Sequence, residues 1–177
     1  GSEAAKTIGS RGWQSACFST LIGASGGPKW LILSELDKVL GEALFLGRDE
    51  PMTLLGSSIG TWRHACLSVN DPCTAISRLQ QAYLYQEYSC ARPSPIEVSE
   101  VAERMLREAL GPEGARQIAA HPTLQNAIVT ARAKGIARGE HGWKLGMGMA
   151  TATLSNAVSR RGLGLLFDRV AFCHGEL

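Results

Sequence analysis

Two glycine-rich turns, each placed between a short apolar run and a helical segment, constrain this chain more than any other feature. The first turn, residues 23–27 (GASGG), follows the apolar run 18–22, and the second, residues 56–60 (GSSIG), follows the run 51–55. Short apolar runs that end in glycine are typical of buried strands, and each turn leads into a helical pattern. Strands that alternate with helices in this way predict an α/β layered fold.

The helices after the turns are marked by their apolar spacing. The first is predicted over residues 28–40, where Leu33, Leu36 and Leu40 fall on one face, as in an amphipathic helix. Trp30 and Trp62 follow the two turns at matching places. We expect both indole rings to pack these helices against the sheet.

The rest of the chain continues the alternation, with one unusually long helical stretch. Asp71 and Pro72 have the residue types of an N-cap and a first helical position, so a helix is predicted from there to about Tyr88. Further helical signals extend to residue 120, which makes 71–120 long for a simple crossover and suggests a helical insertion beside the sheet. Later elements are predicted as strands over 124–132 and 168–173, a polar turn region over 134–143 and a helix over 148–161.

Composition places the chain in the class of ordinary globular proteins. The 177 residues fit a single domain, and 45% of them are hydrophobic. The formal charge of +2 argues against both a disordered acidic chain and a nucleic-acid partner. The cysteine count of five is odd, with no metal-ligand spacing, so reduced, buried thiols and no zinc site are expected. Without a signal peptide or a membrane-length apolar run, a cytoplasmic address is the default.

Ser58 is the candidate nucleophile. Residues 56–60 match G-x-S-x-G between a strand and a helix, where a sharp turn holds the serine in a strained conformation and exposes its hydroxyl. Gly56 and Gly60 would remove side chains that collide in such a turn. Two other interpretations stay open: a small-residue turn for close helix–strand packing, and a phosphate site at the helix N-terminus.

The first turn supplies candidate oxyanion donors. Adjacent glycines at a helix start leave backbone N–H groups uncovered, and such groups can hold a phosphate or the oxyanion of an acyl-transfer intermediate. Gly26 and Gly27 occupy these positions. Neither a G-x-G-x-x-G spacing nor a Walker lysine is present, so the nucleotide-binding motifs are not matched.

Taken together, residues 25–30 (SGGPKW) and 56–61 (GSSIGT) resemble the patatin-like phospholipase family, and residues 156–167 resemble a bacterial subgroup of it. The resemblance implies a three-layer αβα fold of which this chain is the N-terminal part. It also implies a lipid acyl-ester hydrolase with Ser58 as nucleophile and the Gly26 and Gly27 amides as oxyanion donors. Lys29 stands at the basic position of the family, which is usually arginine. An acyl-ester or lipid substrate and peripheral membrane contact follow from the same resemblance.

The family's Ser–Asp dyad is not complete in these residues. Its aspartate lies in an Asp-Gly motif far downstream, and no Asp-Gly pair occurs here. We therefore expect the dyad aspartate to lie outside this chain, little turnover from the chain alone, and self-association through exposed sheet edges.

Two alternatives remain open. The first is a non-catalytic binding module that keeps the scaffold, and the second is a Ser–His–acid esterase. By chain order, His174 is the candidate base of that esterase. His64, His121 and His141 are instead expected to be solvent-exposed or locally bonded.

Overall fold

The computed structural model describes residues 1–12, 14–138 and 142–173 of the chain. It is a mixed α/β structure with a four-stranded open sheet in the order β1-β2-β3-β4. The α/β expectation is therefore confirmed at this level. The strands are β1 (Thr20–Gly23), β2 (Met52–Gly56), β3 (Leu124–Ala133) and β4 (Phe167–Cys173).

Helices fill the connections between these strands. The α-helices are α1 (Ser2–Arg11), α2 (Ser34–Leu40), α3 (Ile59–Leu67), α4 (Pro72–Leu84), α5 (Pro95–Leu110), α6 (Gly114–Ala119), α7 (Gly142–Val158) and α8 (Leu163–Leu166). Short 3₁₀ segments span Ser15–Cys17, Gly27–Leu33, Gly135–Arg138 and Arg160–Gly162, and a π-helical turn spans Gly41–Phe45. In the described part of the chain, no helix combines the length and apolar character needed to cross a membrane.

Three predicted helix boundaries differ from the observed ones. The helix predicted over 28–40 is a 3₁₀ segment as far as Leu33 and becomes α-helical only after it. The helix that starts at Pro72 ends at Leu84, four residues before the expected Tyr88. The late helix predicted from residue 148 already begins at Gly142, within the predicted turn region.

The chain divides into two compact units. The first comprises Gly1–Ile128, to which Cys173 also belongs, and the second comprises Val129–Phe172. Within the second unit, the Asp168 carboxylate pairs with Lys134 at 2.7 Å and with Arg132 at 3.5 Å. These bonds lower the pKa of Asp168, chiefly through the hydrogen bond from Lys134.

Within the first unit, the strands run parallel, and β1 and β2 end together. Gly23, the last residue of β1, pairs with Gly56, the last residue of β2, and Gly56 pairs in turn with Ile128. Because parallel strands present their carboxyl ends at one edge of the sheet, the turns after β1 and β2 leave that edge side by side. This register brings the two glycine-rich turns together.

The core of the first unit lies on one face of the sheet. Met52, Leu54 and Leu124 are buried there against Leu44 and Leu67 from the helical side. Successive strand residues point to opposite faces. On the opposite face Ile22 is 73% exposed, and Gln125 is exposed as well.

Helix α2 packs with a polar side inward. Ser34 and Asp37 are fully buried, whereas Leu36 is 50% exposed and Leu33 is 38% exposed. Of the three leucines that the apolar spacing places on one face, Leu33 and Leu36 therefore point away from the core, whereas Leu40 is half-buried and packs against the core cluster. The physical reason is an ion pair that Asp37 forms with a residue of α3, described below.

The helical stretch between α3 and β3 follows its cap signals. The Asp71 carboxylate accepts a hydrogen bond from the Thr74 amide at 2.9 Å, as its N-cap position predicts. Gly111 ends α5 with φ 70°, the left-handed conformation that favours glycine. Helix α4 packs against α3 and α5, so this stretch lies on the helical side of the first unit.

The cysteines are less uniformly buried than expected. Cys66 is completely buried, and its burial raises the pKa of the thiol to about 12. Cys90 and Cys173 are exposed, and the other two are half-buried. The expectation of buried thiols therefore holds for Cys66 alone.

Candidate active site

Ser58 stands at the turn between β2 and α3 in a strained backbone conformation. Its φ is 54° and its ψ is −131°, and among the described residues it alone combines a side chain with a positive φ. Such a conformation costs about 1–3 kcal/mol, and residues held in this way concentrate at functional sites. The side chain is exposed and caps no helix amide, so the hydroxyl is accessible.

The flanking glycines are required by close backbone approaches. A Cβ on Gly56 would lie 2.7 Å from Thr61 Cα, and a Cβ on Gly60 would lie 2.2 Å from the carbonyl oxygen of Gly23. Real Cβ contacts are essentially never this short. Side chains at Gly56 and Gly60 would collide with the turn, and this is the reason that the G-x-S-x-G motif gives for its two glycines.

The two turns are in direct contact. The Ser57 amide donates a hydrogen bond to the Gly23 carbonyl at 3.1 Å, which joins the ends of β1 and β2. The Ser25 hydroxyl lies 3.2 Å from the Ser57 hydroxyl and 3.4 Å from the Ser57 carbonyl. Ser25 thus links the first turn to the residue before the candidate nucleophile, a role that the sequence motifs do not reveal.

The first turn presents uncovered amides. Gly27 has φ 52°, a left-handed conformation, and begins the 3₁₀ segment, while Gly26 precedes it in an exposed position. Among the hydrogen bonds of the described residues, none uses the amide of Gly26 or Gly27 as donor. The Gly26 carbonyl accepts from the Lys29 amide at 3.3 Å, and the Lys29 side chain is exposed.

A third uncovered amide belongs to Ile59, the first residue of α3. The helix-start amides of Gly60 and Thr61 donate to Ser57 and Ser58, but no acceptor for the Ile59 amide is found in the described part of the chain. In nucleophile elbows, the amide after the nucleophile is an oxyanion donor. The glycine pattern does not single out this residue, although the G-x-S-x-G motif implies it as the amide that follows the serine.

A buried ion pair ties together the helices that follow the two turns. Arg63 of α3 donates from Nε and Nη2 to the two carboxylate oxygens of Asp37 in α2, at 2.6 and 2.5 Å. The Asp37 side chain is 0% exposed and that of Arg63 is 14% exposed. Because the pair is largely buried and joins the two helices, Arg63 has a structural role here.

His64 is a core residue and not a surface base. It is 2% exposed, and a Cβ on Gly23 would lie 2.7 Å from its Cε1 atom, so the ring packs directly against the end of β1. Burial, together with the neighbouring Arg63 charge, lowers the pKa of His64 to about 4. His64 is therefore not solvent-exposed. The ring is buried with the Leu54 backbone as a hydrogen-bond partner, because the missing side chain of Gly23 leaves room for it.

The other histidines add no base to the described site. His121 accepts hydrogen bonds at Nδ1 from the amides of Thr123 and Leu124, at 3.2 and 3.0 Å, which is the local bonding expected for it. His141 and His174, the latter being the candidate base of a Ser–His–acid esterase, lie outside the described residues.

The aspartates with hydrogen bonds have other partners. Asp37 binds Arg63, Asp71 caps α4, and Asp168 binds Lys134. Asp49 is exposed in the turn before β2. Within the described part of the chain, no hydrogen bond joins the Ser58 hydroxyl to a carboxylate. The candidate nucleophile and the candidate amide donors are thus present, and no base for them is identified among the described residues.

Tyr83 of α4 reaches the first turn. Its hydroxyl oxygen lies 4.0 Å from the position that a Cβ on Gly27 would occupy. The ring meets Trp30 edge to face, with centroids 5.9 Å apart and planes at 81°. Burial raises the pKa of Tyr83. The helical periodicity of α4 turns this residue inward, but nothing in the sequence indicates that it approaches the glycines.

A separate cavity of about 620 Å³ opens beside the residues that precede β2 and β3, and Arg48, Leu67 and His121 are among those that line it. Ser58 lies at the carboxyl end of β2, so this cavity is at the other end of the strand. The buried Arg48 guanidinium there donates to the carbonyls of Ser15, Phe18 and Glu50, a structural role that holds the chain segments leading into β1 and β2.

Comparison of the chain with protein-family models, with curated proteins and with solved structures returned no match.

Proposed function

We propose that this chain carries the nucleophile and the oxyanion turn of a serine hydrolase that cleaves acyl esters of lipids, as patatin-like phospholipases do. One observation carries the proposal: the exposed Ser58, with φ 54°, sits on a strand–helix turn in contact with a second turn whose Gly26 and Gly27 amides have no acceptor among the described residues. A turn that served only to pack the helix against the strand would need the glycines, but it would not need a strained and exposed serine.

In the proposed reaction, Ser58 Oγ attacks the carbonyl carbon of the ester while its proton passes to a carboxylate base. The tetrahedral intermediate places a negative charge on the former carbonyl oxygen, which accepts hydrogen bonds from the turn amides. Collapse of the intermediate expels the alcohol, which takes up the proton, and leaves an acyl-serine. Water then attacks the acyl-serine by the same route and releases the carboxylic acid.

The amides of Gly26 and Gly27, together with that of Ile59, suit this role because they are backbone groups fixed by the fold. Loss of one preorganised donor of this kind typically costs about 3 kcal/mol of transition-state stabilisation. Lys29 adds positive charge near the same turn. The reaction requires neither a metal nor an organic cofactor.

The base is proposed to be an aspartate outside these 177 residues, in a three-layer αβα domain of patatin-like type. Two features support this proposal. The hydrogen bonds of Asp37, Asp71 and Asp168 go to other partners. In addition, Ile22 is 73% exposed on the sheet face opposite Met52 and Leu54, whereas parallel sheets are normally covered on both faces.

Fluorophosphonate labelling tests the nucleophile. The protein, expressed from its complete natural reading frame, should form a covalent adduct that mass spectrometry places on Ser58. Ser58→Ala should abolish the adduct. Ser57→Ala, which removes the neighbouring hydroxyl, should retain it. If Ser58→Ala labels as fast as the parent, the proposed function is wrong.

A non-catalytic module on the same scaffold is the second candidate, because no base for Ser58 is identified among the described residues. It predicts no labelling and no ester hydrolysis by the complete protein. The natural reading frame separates the two candidates further, since a downstream Asp-Gly motif supports the enzyme and its absence supports the module.

A further inference from the structure

We propose that the Tyr83 hydroxyl is a side-chain donor of the oxyanion site, acting beside the amides of Gly26 and Gly27. This inference rests on the proposed function and deepens it, because it adds a residue from α4, outside both glycine-rich turns. Tyr83 would contact the substrate oxygen directly and is in that sense a catalytic residue.

The geometry places the hydroxyl at the turn. Tyr83 Oη lies 4.0 Å from the position of a Cβ on Gly27, which is ordinary van der Waals contact with a group that glycine lacks. The gap between the phenol and Gly27 is therefore about the size of the methyl group that glycine lacks. Among the described residues, no hydrogen bond uses this hydroxyl, so its proton is available to a bound ligand.

The ring is held in place by the same element that forms the turn. Trp30 belongs to the 3₁₀ segment that begins at Gly27, and its indole is 2% exposed. Its edge-to-face contact with Tyr83, at 5.9 Å between centroids, fixes the phenol relative to this segment. A donor with a fixed position stabilises developing charge better than a mobile one, because it needs no reorganisation during the reaction.

The phenol keeps its proton during the reaction. Burial, more than the neighbouring Tyr88, raises the pKa of Tyr83, so the group is a hydrogen-bond donor at neutral pH. It would donate to the oxygen of the tetrahedral intermediate without transferring the proton. The phenol is unchanged after each step, so it adds neither atoms nor charge to the reaction proposed above.

The test compares Tyr83→Phe with Tyr85→Phe in the protein expressed from its complete natural reading frame. Each variant loses one hydroxyl, and Tyr85, just after α4, is 74% exposed, which makes it a matched control. With p-nitrophenyl butyrate as substrate, Tyr83→Phe should lower kcat about tenfold to a hundredfold, while KM changes less than about twofold. Tyr85→Phe should match the parent, and both variants should keep the parent's Tm.

Each outcome is decisive. A kcat for Tyr83→Phe equal to that of the parent overturns the role of Tyr83 and leaves the proposed function intact. A loss that appears in KM or in Tm, with kcat unchanged, shows a packing role and also overturns the inference. If the complete protein neither hydrolyses the ester nor labels at Ser58, the proposed function fails, and the inference fails with it.

Discussion

Arg63 holds both carboxylate oxygens of Asp37 in a buried two-point ion pair, and the two residues belong to the helices that follow the two turns. Asp37 lies ten residues after Gly27, and Arg63 lies five residues after Ser58. The pair thus fixes α2 against α3 and, through them, the turn at Gly26 and Gly27 against the turn at Ser58. It also explains why α2 turns its polar side inward.

Removal of one partner should destabilise the fold strongly. Arg63→Met leaves an uncompensated buried carboxylate, which costs about 3–5 kcal/mol of unfolding free energy. The double variant Asp37→Leu/Arg63→Met should recover much of this loss, because apolar side chains replace both charges. Urea unfolding at pH 7 measures both variants. An Arg63→Met variant within about 0.5 kcal/mol of the parent would contradict the structural role given to the pair.

The backbone strain at Ser58 should lower the free energy of unfolding by a measurable amount. Ser58→Gly relieves the unfavourable φ, whereas Ser58→Ala retains it, and both remove the hydroxyl. We expect Ser58→Gly to be more stable than Ser58→Ala by about 1 kcal/mol, after allowance for the greater flexibility of glycine in the unfolded chain. Thermal unfolding of the two variants measures this difference, and equal stabilities would mean that the turn is unstrained.

Gly60, which lies against Gly23, should not tolerate a side chain. Gly60→Ala would place a methyl group 2.2 Å from the Gly23 carbonyl oxygen, so one of the two turns must move. We expect the free energy of unfolding to fall by about 3 kcal/mol and the labelling of Ser58 to become slower. Gly9→Ala is the control, since nothing lies within 4 Å of its Cβ position in α1. It should leave the stability unchanged or raise it. Full stability of Gly60→Ala would rule out the close approach of the turns.

His64 should make the protein sensitive to mild acid. Its folded pKa of about 4 lies below the ordinary value of 6.5, so the neutral form is favoured in the folded state. The resulting stabilisation is present above pH 6.5 and is lost as the pH falls towards 4, by about 3 kcal/mol in total. Urea unfolding at pH 7 and pH 4.5 should show this loss in the parent. His64→Gln should show a markedly smaller difference, and an equal pH dependence in both proteins would contradict the assignment.

Local signals predicted the parts of the site that depend on neighbouring residues. The turn at Ser58 and the glycines around it follow from a strand–turn–helix pattern within one short segment, and the structure shows the strained φ that such a pattern implies. The cap at Asp71 is likewise local. Contact between the two turns depends on the parallel register of Gly23 and Gly56, which the sequence alone does not specify.

Features that depend on distant partners were not predictable in the same way. The buried face of α2 was misjudged because Asp37 finds its counterion 26 residues later, and a single helix pattern shows no such partner. The sequence predicts a solvent-exposed or locally bonded His64 and does not show its burial, because the space that the ring fills is created by Gly23 on another strand. Tyr83 approaches Gly27 only through the packing of α4, so its place at the site appears only in three dimensions.

The crystal structure of the fluorophosphonate adduct tests the central claim most directly. We predict that phosphorus is bonded to Ser58 Oγ and that the phosphonyl oxygen accepts hydrogen bonds from the Gly26 and Gly27 amides at about 2.7–3.1 Å. An adduct on another residue, or a phosphonyl oxygen turned away from both amides, would show that the two turns do not form one catalytic site.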